Sequence, residues 1–228
     1  MVEVFALRIL DEEPFLLLKE RLIELLPPEN RQFFSRFKRN SSLQRSLFGE
    51  LVARAVLAQK LGTNGSQITF SKTENGKPYL NHKNAMFNVS HSGNWVVMAF
   101  SSTEVGIDVE TIRPVNYRIA ERFFSGSEVE FLNSKNGQEK LDYFFDLWTL
   151  KESFLKLIGT GLTRSLSSFS VFHDGNEFRM KEKGKSGNSD IYFKQYFLEE
   201  GYKLSVCSYN RNFHDQVIRL EVDDLIKT

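Results

Sequence analysis

An α+β fold is expected of this chain, from three observations on its sequence. First, 41% of its 228 residues are hydrophobic, enough to build a core and to argue against disorder. Second, apolar residues alternate with a strand-like period of two in some segments and follow helical spacing in others. Third, strand-type and helix-type segments come in the same order in each half, although no residue-level repeat links them. Two similar α+β halves follow, residues 1–102 and 103–228, with the break at the polar run Ser101-Ser102-Thr103.

Taken in order, residues 2–10 suit a first strand, and Phe15 to Leu26 carries helical spacing that stops at Pro27-Pro28. Glu29 to Lys38 suits a short helix with Phe33, Phe34 and Phe37 on its apolar side. Ser41 or Ser42 is placed to cap a longer helix running to Leu61, where Gly62 is a natural terminator. Within that helix Leu43, Leu47, Leu51 and Arg54/Ala55 form a core-facing stripe. A short strand near Ile68–Phe70 and a turn at Asn75-Gly76 come next. Segments 86–90 and 95–100, joined by Ser92-Gly93-Asn94, then form a hairpin. The second half offers a strand at 105–110, helices near 116–122 and 127–133, and a long helix from about Glu139 to Ile158. Strands near 168–172, 190–198 and 203–208 follow, with Lys181 to Asp190 as a solvated loop.

The formal charge of +1 excludes a global basic field, so any phosphate site must be local. The basic cluster Arg31, Arg36, Lys38 and Arg39 is interleaved with phenylalanines at helical spacing. That pattern hides the rings in a core and does not suggest a nucleic-acid surface. A single cysteine, Cys207, fits a reducing compartment. Met1-Val2-Glu3-Val4 has no signal-peptide character, and no apolar run approaches the ~20 residues of a spanning helix. A soluble, cytoplasmic protein without membrane or nucleic-acid partners is expected.

Chemistry concentrates in two stretches. In Val105-Gly106-Ile107-Asp108-Val109-Glu110, strand alternation puts both carboxylates on one face and the apolar side chains on the other. In Trp148-Thr149-Leu150-Lys151-Glu152-Ser153-Phe154-Leu155-Lys156, helical spacing stacks Trp148, Glu152 and Lys156 along one side. Facing one another, these elements bring three carboxylates together with lysines nearby, and such a cluster needs a counter-ion. A hard divalent cation such as Mg²⁺ suits all-oxygen donors and would share substrate phosphate. Each part also has a plainer reading: a solvated strand edge for Asp108 and Glu110, a surface ion pair for Glu152, core packing for Trp148.

These residues resemble the signature of the 4'-phosphopantetheinyl transferases, in its longer single-chain branch. The resemblance extends through Gly76-Lys77-Pro78, Phe87-Asn88-Val89-Ser90-His91-Ser92, Arg113-Pro114 and Phe123-Phe124-Ser125, over nearly the whole chain. It implies two α+β subdomains related by a pseudo-twofold, with the active site in their crevice, in a monomeric enzyme. The implied reaction moves phosphopantetheine from coenzyme A to a serine of an apo acyl or peptidyl carrier protein, releasing 3',5'-ADP. By the same resemblance Asp108, Glu110 and Glu152 hold Mg²⁺, while Glu152 and Lys156 serve the chemistry. Arg45, Ser46, Lys77, Pro78, Ser90, His91, Lys151 and Lys156 contact coenzyme A, with a structural ion as the alternative for Lys151. Carrier docking is implied for the segment after Gly159 and for Phe123 and Phe124, for which core packing is the alternative. Where some relatives hold the 3'-phosphate with lysines, this chain has Asn30 and Phe33. The three carboxylates alone would also suit a Mg²⁺-dependent hydrolase of pyrophosphate bonds, or mere surface charge on a non-catalytic scaffold.

Overall fold

The computed structural model describes residues 1–80, 82, 84–175, 177–184 and 190–226. The first half runs β1 (Val2–Arg8), α1 (Glu12–Glu24), α2 (Pro28–Phe34), α3 (Asn40–Leu61), β2 (Ser71–Lys72), β3 (Pro78–Tyr79), β4 (Met86–Ser92) and β5 (Trp95–Ser101). The second runs β6 (Val105–Thr111), α4 (Arg118–Phe123), α5 (Gly126–Asn133), α6 (Gly137–Ile158), β7 (Phe169–Asp174), β8 (Glu177–Glu182), β9 (Tyr192–Tyr196) and β10 (Tyr202–Ser208). β11 (Phe213–Leu220) and α7 (Val222–Ile226) close the described chain. The fold is α+β, and the order strand, two short helices, long helix, strands occurs twice. Both long helices have 22 residues and end on a left-handed glycine, Gly62 at φ 64° and Gly159 at φ 67°.

Strand order is β11-β1-β5-β4 in one main sheet and β6-β10-β9-β8-β7 in the other, and β2 pairs with β3 in a short two-stranded sheet. Alternation sorts their side chains into three layers of core. On the outer face of the first sheet, Phe5, Leu7, Val96 and Met98 pack under α1 and α3 through Phe15, Leu22, Leu47, Phe48 and Leu57. On its inner face, Val4, Ala6, Val97 and Ala99 meet Val105, Ile107, Val109 and Val206 of the second sheet. The opposite face of the second sheet lies under α6, where Leu150, Phe154 and Leu157 pack with Phe169, Val171 and Phe193. The apolar side of β6 is therefore spent against the first sheet, which turns its acidic side toward α6.

Several expected elements take a different form. Ile68–Phe70 is not a strand, since a capped turn at 65–67 precedes it and pairing starts only at Ser71. Neither Ser41 nor Ser42 caps α3, which begins after Arg39 without a side-chain cap. Arg54 is buried beside that helix's apolar stripe because Glu50 and the carbonyls of Gly65 and Ile68 take its guanidinium. The start of the expected loop 181–190 completes strand β8, while 185–189 lie outside the described residues.

The expected second half, 103–228, is also redrawn. β11 pairs in parallel with β1, and Leu225 of α7 joins the core under α3, so residues 213–226 build onto the first sheet. Their exposed and buried positions alternate too weakly in sequence to announce that strand.

Candidate active site

Gly106 sets how closely α6 lies on β6. A Cβ there would stand 2.0 Å from the Ser153 carbonyl oxygen and 2.4 Å from the Leu157 nitrogen, so only glycine admits the helix. With α6 so close, Trp148, Glu152 and Lys156 face Asp108 and Glu110 across a cavity of about 370 Å³, with Val89, Ser90 and His91 of β4 along its rim. The first sheet thus supplies one wall and the second sheet with its helix the others.

Asp108 is buried, and Lys156 Nζ donates to its Oδ1 at 2.6 Å. Ser90 Oγ donates to that same oxygen at 3.0 Å and accepts from Lys156 at 2.8 Å. The other oxygen, Oδ2, is buried without any hydrogen-bond partner. Such an orphan acceptor in a polar cavity calls for a ligand. Glu110 accepts from Ser92 Oγ at 2.9 Å, and its pKa is raised by burial and by Asp108. Burial first, then Asp108, push the Glu152 carboxyl up to about 7, against the opposing pull of Lys156. The His91 pKa is lowered, chiefly by desolvation and also by Arg45 and Lys156. A neutral imidazole beside two cations can still donate one hydrogen bond to an anion.

Among the described residues no group of three or more His, Cys, Asp or Glu side chains is set to hold a metal ion. The three carboxylates share a cavity without being gathered at one point. The Lys156 ammonium pairs with Asp108, while burial and the Asp108 charge raise the pKa values of Glu110 and Glu152. The donor set nonetheless fits a hard cation. It is all oxygen, it includes the orphan Oδ2, and raised pKa values mark two carboxyls on which burial and Asp108 outweigh the nearby cations.

The other expected contacts divide. Arg45 is half-buried at the hairpin tip, its guanidinium 3.4 Å from the Gly93 carbonyl, and Ser46 lies beside it on α3. Lys77 and Pro78 do not line the carboxylate cavity but a separate one of about 660 Å³ with Glu104, Leu157, Gly159 and Tyr209. There the Lys77 ammonium is already engaged, donating to the Leu157 carbonyl at 3.0 Å and pairing with Glu104 at 3.1 Å. It neutralises the negative end of α6.

Two expectations are corrected outright. Lys151 is not a coenzyme A contact, because it is fully buried on the far side of α6. Its ammonium reaches both oxygens of Glu128, at 2.9 and 2.7 Å, and the Phe169 carbonyl at 2.7 Å. Phe124 is core, tilted against Phe144, and is not available to a carrier; Phe123 packs edge-on to Trp148. Asn30 donates to Glu50 and Phe33 stands half-exposed below Lys72, so neither brings a positive charge of its own.

Sequence reasoning passed over Glu128, although Ser125-x-x-Glu128 is a capping-box signature. Glu128 closes that box by accepting from the Ser125 amide at 2.7 Å, and it also accepts from the Val171 amide at 2.7 Å. It therefore ties α5, α6 and β7 together through one buried carboxylate.

Comparison with known proteins identifies the family. Residues 104–207 match the 4'-phosphopantetheinyl transferase superfamily, and residues 17–103 match the family described as 4'-phosphopantetheinyl transferase, N-terminal. The chain is 37% identical over 209 residues to 4'-phosphopantetheinyl transferase Sfp of Bacillus subtilis (strain 168), covering 91% of this chain and 92% of that protein. It is also 37% identical over 198 residues to 4'-phosphopantetheinyl transferase gsp of Aneurinibacillus migulanus, covering 86% and 82%. To psf-1 of Bacillus pumilus it is 34% identical over 216 residues, covering 91% and 90%. The chain belongs to the 4'-phosphopantetheinyl transferase superfamily.

Proposed function

We propose that this protein transfers the 4'-phosphopantetheine arm of coenzyme A to a serine hydroxyl of an apo carrier protein, with a divalent cation, Mg²⁺, in the cavity between β6 and α6. The observation that carries the reading is the single cavity in which Glu152 and Lys156 of α6 face Asp108 and Glu110 of β6, with the buried Asp108 Oδ2 left without a hydrogen-bond partner. The serine oxygen forms the new bond to the phosphorus bearing the pantetheine arm. The bond from that phosphorus to the bridging diphosphate oxygen breaks, and 3',5'-ADP leaves. Glu152, through the oxygen it does not give to the cation, takes the serine proton. Lys156 turns its ammonium from Asp108 to the phosphate oxygens as charge builds on them. His91 and Arg45 flank the anion from the β4–β5 side.

Asp108, Glu110 and one oxygen of Glu152 would hold Mg²⁺, which when bound offsets the diphosphate charge and stabilises the leaving oxygen. The other Glu152 oxygen then remains for the proton. Among the described residues no helix is long and apolar enough to cross a membrane. The test is mass spectrometry of several apo carrier proteins incubated with the protein, coenzyme A and Mg²⁺. Addition of one phosphopantetheine arm is expected. Release of free phosphopantetheine without modified carrier would instead identify a hydrolase.

A further inference from the structure

The two sheets meet at open edges: β4 is the last strand of one and β6 the first of the other. Two such edges could pair backbone to backbone or stay apart and solvated. Here they do neither. Alternate side chains of β4 take the free amides of alternate β6 residues. The Ile107 amide donates to Asn88 Oδ1 at 3.0 Å, the Val109 amide to Ser90 Oγ at 3.4 Å, and the Thr111 amide to Ser92 Oγ at 3.1 Å. The offset is 19 residues at every rung, so the strands run parallel and in fixed register. Each serine then passes its single proton on to a carboxylate, Ser90 to Asp108 and Ser92 to Glu110. At the first rung the matching β6 position is Gly106, whose place α6 occupies, and there the ladder uses an amide without any carboxylate to address.

We infer that Asn88 and Ser92 are positioning residues for the metal-binding carboxylates, holding β6 in register and aiming Glu110 into the cavity. The Ser92 hydroxyl is both acceptor and donor, so its orientation is fixed from two sides. Its hydrogen bond thereby holds Glu110 on the side of the strand that faces α6. The hairpin tip just beyond is pinned as well, since the Asn94 amide donates to the Tyr202 hydroxyl at 3.0 Å. A Cβ at its neighbour Gly93 would fall 2.3 Å from that hydroxyl, so any side chain there would have to displace Tyr202. The contact network thus reaches from β4 to β10 around the acidic strand. This inference rests on the proposed metal site, and its test separates the two.

The variants are Ser92→Ala, Ser92→Thr and Asn88→Ala, each studied as the full chain. In Ser92→Ala, hydrogen exchange of the Thr111 amide, followed by NMR, should accelerate at least about tenfold, with the β10 amides unchanged. Mn²⁺ affinity by calorimetry should weaken about tenfold, the scale of one charge-assisted hydrogen bond. The Mg²⁺ concentration for half-maximal transfer should rise by a similar factor while KM for the carrier holds. Ser92→Thr keeps the hydroxyl and should restore all three. Asn88→Ala leaves a buried amide unsatisfied and is checked by the exchange of Ile107 only if it folds; Ser92, half-buried, decides the matter otherwise. Wild-type exchange and wild-type Mn²⁺ affinity in Ser92→Ala would overturn the inference, as would a failure of the wild type to bind Mn²⁺. If Mn²⁺ affinity falls as expected but no carrier is ever modified, the proposed reaction fails and the positioning role stands.

Discussion

Adding one methyl group at Gly106 should separate the helix that carries Glu152 from the strand that carries Asp108. In Gly106→Ala the new Cβ would lie 2.0 Å from the Ser153 carbonyl oxygen, 2.4 Å from the Leu157 nitrogen and 3.0 Å from its Cα. Ordinary contact begins near 3.4 Å, so α6 must retreat by about 1.4 Å at Ser153. All three obstacles are backbone, so no rotamer change relieves them. The retreat opens the layer where Phe154, Leu155 and Leu157 are buried. Overpacking of this kind costs about 1–3 kcal/mol, and a two-sided backbone clash belongs at the top of that range. For a chain of this length about 3 kcal/mol corresponds to a Tm loss of roughly 6–12 °C. Glu152 and Lys156 move with the helix, and a displacement of about 1 Å in a reacting group can cost about a hundredfold in rate. Urea unfolding and carrier modification, measured on the same preparation, test both effects. Stability within about 0.5 kcal/mol of wild type, together with full activity, would show that the close approach of α6 does not set the site.

Three further outcomes follow from other contacts. Lys151→Met should destabilise the protein by about 3–5 kcal/mol in urea, because it strands the buried Glu128 carboxylate; Lys151→Met with Glu128→Gln should recover much of the loss. In metal-free protein, Glu152 holds its proton up to about 7 when folded, against an ordinary value of 4.5. Between these values the folded state binds the extra proton, so stability should fall as pH rises through that window, by roughly 1–3 kcal/mol, and Glu152→Gln should flatten the slope in pH-dependent urea titrations. Because Asn30 and Phe33 bring no positive charge to the 3'-phosphate of coenzyme A, that group should depend on Arg45: Arg45→Ala should weaken coenzyme A about ten- to a hundredfold in calorimetry and 3'-dephospho-coenzyme A hardly at all; equal weakening would remove Arg45 from the 3'-phosphate.

The carboxylate site was legible because period alone carries it. Alternation put Asp108 and Glu110 on one side of a strand, and spacing of four put Trp148, Glu152 and Lys156 on one side of a helix. The same rules found α3, α6 and the β4–β5 hairpin, whose turns are marked by glycine. What they missed depends on partners distant in sequence. Lys151 sits one residue from Glu152 yet faces the opposite way, and only the position of Glu128 shows where its charge goes. Lys77 resembled a substrate contact until the end of α6 arrived beside it. β11 has mixed exposure and takes its strand form from pairing with β1, some two hundred residues earlier. The Asn88, Ser90, Ser92 series was visible as a motif, but its meaning required knowing that two open sheet edges meet there.

The parallel pairing of β1 with β11 also bears on how the chain assembles as it is made. β1 is an interior strand only because β11 lies on its outer side, so the whole second sheet is spelled out between two neighbours. At roughly 5–20 residues per second, β1 waits about 10–40 s after leaving the ribosome before that neighbour exists. Meanwhile β1 can pair only with β5, and its other edge stays open to wrong partners. A fragment ending at residue 102 would keep that open edge permanently. Two-piece versions of this protein should therefore be cut after β10, in the connecting segment 209–212, so that β11 and α7 are supplied as a short complementing peptide.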